Sequence, residues 1–341
     1  MPKMDYEKFK QFSAENIRDF LPKEYEDARV EVQKIRKIGD DYDGLIVRKE
    51  GSEVSPAVNL NKMYDEYLVG KTIGTVLADM AEIVQTAVPI VTRSMLTDYD
   101  SVKERLFIRV CNTGDNEALL ENVPHREMDG IAMTYHVKIG ESDNSLMSSI
   151  VTNDAMRALG VDEMTLHEDA IKNGCRLFPP VIERLEDRVF ADSSAVSSRE
   201  PRMLVVTNER TVNGAATMFY EGIQDEIAEK LHGSYFVIPS STNEMLAIKD
   251  TGQEDYMSLE KLLRHMNTIG VAKEELLSYN VFHYDAEDKI FEKASGYDDR
   301  MVEKMFDKAF FDMMKRIDSD SKTDADLPKN ESKNRSFSMK M

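Results

Sequence analysis

Met203-Leu204-Val205-Val206-Thr207, Tyr235-Phe236-Val237-Ile238 and Met245-Leu246-Ala247-Ile248 are three short apolar runs in the second half of the chain. Runs of this length, rich in branched and aromatic side chains, read as strands buried on both faces. The connections between them differ in kind. Residues 208–234 hold an Asn213-Gly214 turn and then Ile223, Ile227 and Leu231, spaced i, i+4, i+8 along one side of a helix. The other connection is only Pro239-Ser240-Ser241-Thr242-Asn243-Glu244, the length of a turn. Helices and turns alternating between such strands specify an α+β fold, with a mixed, largely antiparallel β-sheet packed with helices.

The same periodicities extend outward. Downstream, Ser258 reads as the cap of a helix carrying Leu259, Leu262, Leu263, Met266 and Ile269, and a hairpin over Asn280–Tyr284 and Lys289–Lys293 follows. Met301–Ile317 reads as a last helix with Met and Phe on one side, and Asp318–Met341 as a disordered tail. Upstream, Phe9, Phe12, Ile17 and Phe20 share a face of a helix over about 4–20. Ala28–Lys37 and Leu45–Arg48 form a hairpin around Gly39–Gly44, Pro56 opens a helix through Tyr67, and Ile73, Val76, Leu77, Met80 and Val84 mark the next helix.

Residues 105–151 read as strands: Leu106, Ile108 and Val110 alternate, as do Ile131, Met133, Tyr135, Val137 and Ile139. That alternation sends His136, with Thr134 and Lys138, to the opposite, wet face. A helix over 162–173 has Asp162 as its N-cap and Gly174 as its closing glycine. Phe178–Val189, with its Pro-Pro pair, reads as an edge strand, and the Ser-rich stretch Asp192–Pro201 as an exposed loop or lobe boundary. This patterning divides the chain into an N-terminal α+β lobe (1–150), a C-terminal lobe (151–295), the terminal helix (296–317) and the tail (318–341).

Composition bounds the function. The 341 residues carry 44 Lys+Arg against 63 Asp+Glu, a formal charge of −19. A body this acidic repels a phosphate backbone, so neither nucleic acid nor an anionic membrane is an expected partner. The apolar-leaning stretch Ile83–Val91 is broken by Gln85, Thr86 and Pro89 and falls short of the ~20 residues a membrane helix requires. Cys111 and Cys175 stand alone, without metal or disulfide spacing, and the acidic N-terminus is no signal peptide. A reducing, cytoplasmic location follows.

Chemistry is sparse. GxxxxGK[ST], GxGxxG, HExxH and GxSxG are all absent, so no cofactor is expected. No two of the six histidines stand at helical ligand spacing. His125 and Asp129 are the nearest approach to a metal pair, and no metal site is expected from them. Two polar clusters remain as candidate binding residues. Ser240, Ser241 and Glu244 lie in the turn between two buried strands, and Asn208 and Asn213 lie just past the 203–207 strand. If that strand runs parallel to a neighbour, a crevice at the strand ends becomes available. A nucleophilic Ser240 or Ser241 needs a base, which only folding could supply as His265 or His283.

A wider set of segments carries a resemblance. It comprises Val54-Ser55-Pro56-Ala57-Val58-Asn59-Leu60 leading to Tyr64, Tyr67 and Gly70; Met203–Asn208 with Asn213-Gly214-Ala215; Tyr235–Glu244; and Asn267 with Glu274-Glu275-Leu276-Leu277-Ser278, Val281 and Tyr284. Together they resemble an uncharacterised domain-of-unknown-function family frequent in anaerobic gut Gram-positive bacteria, over roughly residues 5–295. The resemblance implies a soluble bacterial cytoplasmic protein and assigns no catalytic residue. The expectation is therefore a cytoplasmic binding or adaptor protein without catalysis, its partner a protein or small molecule. The alternative is a hydrolase-like enzyme built on the Pro239–Glu244 turn.

Overall fold

Sheet formation follows the alternation just described, in three separate antiparallel sheets. A computed structural model describes residues 3–39, 41–50, 55–86, 98–142, 145–189 and 200–323. The first sheet pairs β1 (Arg29–Arg36) with β2 (Asp41–Arg48) and β2 with β3 (Ala57–Asn59). Helices α1 (Tyr6–Asn16), α2 (Leu60–Val69) and α3 (Ile73–Thr86) share an apolar cluster with it, centred on Phe9, Leu45, Leu60, Leu77 and Met80. The helix expected from Pro56 thus begins later. Ala57-Val58-Asn59 pair with β2, and the Asn59 side chain caps α2 by accepting from the Lys62 N–H.

The short α4 (Tyr99–Val102) leads into the second sheet, β4 (Leu106–Asn112), β5 (His125–Met128), β6 (Ile131–Ser142) and β7 (Ser145–Ile150), with α5 (Glu117–Leu120) between β4 and β5. Central β6 pairs with β4 on one side and with β5 and β7 on the other. Helices α6 (Asn153–Leu159) and α7 (Glu163–Leu177) follow. The Asp162 carboxylate accepts from the Thr165 N–H, as an N-cap should. Asp162→Ala is expected to cost about 1 kcal/mol in a urea melt.

Gly174 does not close α7, which runs on to Leu177. A Cβ there would sit 2.5 Å from the Tyr220 ring, so close packing rather than a cap explains this glycine.

The third sheet has the order β13-β12-β10-β11-β9-β8, with β8 (Pro180–Arg184), β9 (Met203–Asn208), β10 (Tyr235–Ile238), β11 (Met245–Lys249), β12 (Phe282–Asp285) and β13 (Ile290–Lys293). The expected edge strand over 178–189 is β8 alone, and α8 (Leu185–Val189) takes its second half. Helix α9 (Ile223–Leu231) precedes β10. Helix α10 (Tyr256–Ile269) follows β11 and is capped by Asp255 rather than Ser258: its carboxylate accepts from the N–H groups of Met257 and Ser258. The two larger sheets bury Ile108, Val110, Tyr135, Val206, Tyr235 and Phe282 in one cluster, which draws on both sides of residue 150.

Residues up to Ala294 group as one compact unit. The last helix, α11 (Ala294–Thr323), lies in a second unit and extends six residues past the expected end at 317. The rest of the expected tail, and the Ser-rich stretch up to residue 199, lie outside the described residues. No helix among the described residues is long and apolar enough to cross a membrane.

Candidate functional site

Folding brings the five candidate residues to one place. The turn after β9 and the turn between β10 and β11 interlock: Thr207 Oγ1 donates to the Asn243 carbonyl (2.7 Å), and the Asn213 N–H donates to Asn243 Oδ1 (2.9 Å). Asn213 takes the left-handed conformation at φ 54°, which asparagine tolerates better than most residues. The polar groups of Asn208, Ser240 and Ser241 are spent on the turns themselves. Asn208 Nδ2 donates to the Val212 carbonyl, and its Oδ1 accepts from the Arg210 N–H. Ser240 Oγ donates to the Glu244 carbonyl (2.9 Å), Ser241 Oγ accepts from the Asn243 N–H (3.0 Å), and Glu244 Oε2 pairs with Arg188 (3.0 Å).

The histidines stand elsewhere. His283 Nε2 lies 2.9 Å from Asp250 Oδ2, a contact that holds the Asp250 carboxyl below its ordinary value, and His265 is exposed on α10. Strand β9 is antiparallel to both neighbours, so the parallel-strand crevice has no counterpart at Asn208 and Asn213. These two asparagines, with Phe107, Phe178 and Tyr220, line a cavity of about 10 Å³, room for one water.

A second polar group lies on the face of the second sheet turned away from the main core. Alternation along β4 and β6 puts Phe107, Arg109, Thr134, His136 and Lys138 on that face. The register sets Arg109 opposite Thr134, Phe107 opposite His136, and Lys138 opposite Ser148 of β7. This face is not wet as expected: Thr134 is wholly buried and His136 is 4 % exposed. Phe178 packs on Phe107 with ring centroids 4.8 Å apart, and Leu119, Leu120 and Val123 cover the end of the face at Cys111 and Ala132.

Within this layer Arg109 reaches over β6 to β7, two strand spacings or about 10 Å, and its Nη2 donates to Ser148 Oγ (3.0 Å). Its guanidinium carbon lies 5.7 Å from the Phe107 ring centre, and its Nε is buried with no hydrogen-bond partner among the described residues. Burial pushes the guanidinium down to about 10, and among the described residues no carboxylate opposes that effect. The ring of His136 lies below Thr134: Nε2 and Thr134 Oγ1 are 3.0 Å apart, and the Thr134 hydroxyl donates onward to the Arg109 carbonyl. One hydroxyl proton cannot serve both, so the imidazole donates from Nε2–H. Burial, then the positive charges of Arg109 and Lys37, hold His136 well below its ordinary value and therefore neutral. Cys111, on the same face, stays a thiol because burial pushes it up to about 12.

This arrangement offers the Arg109 guanidinium as donor and positive charge and, among the described residues, no base aimed at a nucleophile. The sequence places Thr134 and His136 on one face but does not show that Arg109 stands beside them on the neighbouring strand. Its one trace is the alternation of Leu106, Ile108 and Val110, which turns Arg109 outward from the core.

The class is thus an α+β protein of three antiparallel sheets with a cationic polar row on one of them. Over residues 6–286 the chain matches DUF5688, a family of unknown function, and it belongs to that family. No curated protein and no solved structure matches it.

Proposed function

We propose that this chain is a binding protein, acting without catalysis, that takes a small oxyanion, a carboxylate or phosphate group, at the row formed by Arg109, Thr134, His136 and Ser148. The observation that carries the reading is the Arg109 guanidinium, largely enclosed, bonded to a neutral hydroxyl and bare at Nε. An enclosed charge is costly without a counter-ion, and guanidinium is shaped to take an oxyanion in two parallel bonds. Lys37 and Lys138 add positive charge nearby, in a chain whose net charge is −19. That overall charge disfavours nucleic acid and anionic membranes, so the ligand is a small molecule or a single acidic group of a protein partner.

Cytoplasmic work in a bacterial host, with the anaerobic Gram-positive hosts implied by the resemblance, accords with two unpaired cysteines, one of them exposed. The hydrolase alternative draws no support from Ser240 and Ser241, whose hydroxyls bond their own turn.

The test is thermal unfolding in inorganic phosphate and in succinate against chloride at matched ionic strength. Both anions are expected to raise the midpoint of the parent and not of Arg109→Met. The variant itself should stay within about 1 kcal/mol of the parent, because an apolar side chain of similar volume removes an enclosed charge. Equal anion responses in the two proteins would sink the reading.

A further inference from the structure

Helix α11 carries an apolar stripe of large, exposed side chains. Val302, Met305, Phe306, Ala309, Phe310 and Met313 fall at i, i+3, i+4, i+7, i+8 and i+11, one continuous face of a helix. Met305, Phe306 and Phe310 are 69 %, 72 % and 62 % exposed, and Val302, Met313 and Met314 are exposed too. Phe311 points to the opposite side, where the Lys315 ammonium lies 4.5 Å from its ring centre. The large stripe residues present on the order of 600 Å² of apolar surface, at roughly 200 Å² for a fully exposed Phe or Met. That equals the largest apolar patches of ordinary monomers and approaches the roughly 800 Å² per partner of a standard interface.

Charge selects the occupant. Ten acidic and ten basic side chains fall in residues 295–341, so this segment is neutral and the whole −19 resides in residues 1–294. Two copies that met through their bodies would repel, whereas α11 itself, with seven acidic and six basic side chains, carries a net charge of only −1. The edges of the stripe carry charges of both signs. Glu303 flanks one edge, and Asp312 with Lys308 flanks the other, while Lys304 and Lys315 lie round toward Phe311. We propose that α11 is a self-association helix and that its partner is α11 of a second copy of this chain.

Sedimentation velocity of the full chain tests this. A species of twice 38.9 kDa is expected at micromolar concentration. Phe306→Asp with Phe310→Asp, both at exposed positions, should give a monomer with the near-ultraviolet spectrum of the body unchanged. Lys304→Glu with Lys308→Glu leaves the apolar stripe intact and should weaken association about tenfold or more through like charges on the two helices. A parent that is monomeric throughout, or a dimer that survives the double aspartate variant, overturns the assignment.

Discussion

Gly214→Ala is expected to lower the free energy of unfolding by about 3 kcal/mol or more, through contact rather than backbone strain. An added Cβ would lie 2.1 Å from Thr207 Oγ1, 2.5 Å from the Asn243 carbonyl oxygen and 2.8 Å from the Asn208 nitrogen. Two of the three are main-chain atoms in neighbouring elements and have no free rotation to escape. The third is a hydroxyl, 1 % exposed as a residue, that holds the two turns together through its bond to Asn243. Displacing it separates the turns and leaves a buried hydroxyl and carbonyl unpaired. Gly222→Ala is the matched control: Gly222 is left-handed at φ 79°, with nothing within 4 Å of the added carbon. It should cost only about 1–2 kcal/mol, the backbone penalty. Urea unfolding of both variants at unchanged slope decides the matter. Equal losses would mean that the interlocked turns are slack, and that Asn208, Asn213 and the 240–244 turn keep room for a ligand.

Much of the fold was legible because burial imposes period. The runs at 203–207, 235–238 and 245–248 are strands β9, β10 and β11, since a strand covered on both faces has no polar position to interrupt it. Ile223, Ile227 and Leu231 are buried along α9, as their spacing requires. Local signals mislead where they are ambiguous. Three residues, Ala57–Asn59, cannot show alternation, and Pro56 ahead of an apolar helix resembles a helix start. Gly174 looks like a closing glycine, yet its role is set by Tyr220, which arrives from 46 residues further along the chain.

The site was legible to a smaller degree. Asn208, Asn213, Ser240, Ser241 and Glu244 do gather, because turns at one end of a sheet are neighbours, but turn backbone takes the side-chain bonds of Asn208, Ser240 and Ser241, and Arg188 takes the Glu244 carboxylate. Alternation could say that His136 leaves the main core, but not that Phe178 and Arg109 close over the other side. That depends on register and on chain far from β6.

Acid should weaken the fold through His136 before it touches the carboxylates. The ring faces Arg109 from β4 and Lys37 beyond β1, and burial with these charges keeps it neutral in the folded chain. The unfolded ring titrates near 6.5. Above that pH neither state binds the proton, and stability is flat. Below it the unfolded state binds a proton that the folded state refuses, so stability falls as pH drops, by up to about 1.4 kcal/mol per unit. From this ring the loss is at most about 2 kcal/mol at pH 5. His167, lowered by burial and then by Arg126, loses stability in the same direction. The carboxyls of Asp250 and Asp225, held low by the bonds from His283 and from the Tyr284 hydroxyl, have the opposite sign of charge. Their stabilisation is present above about pH 4 and lost only below it, leaving the window from pH 7 to 5 to the histidines. His136→Phe keeps a ring against Phe107, and Thr134 retains its bond to the Arg109 carbonyl. Urea unfolding at pH 7, 6 and 5 should show the parent losing about 2 kcal/mol or slightly more, and His136→Phe losing less than half of that. Parallel losses in the two proteins would show that the folded chain admits a proton at His136, and the cationic row would then be wetter and less selective for an anion than its geometry indicates.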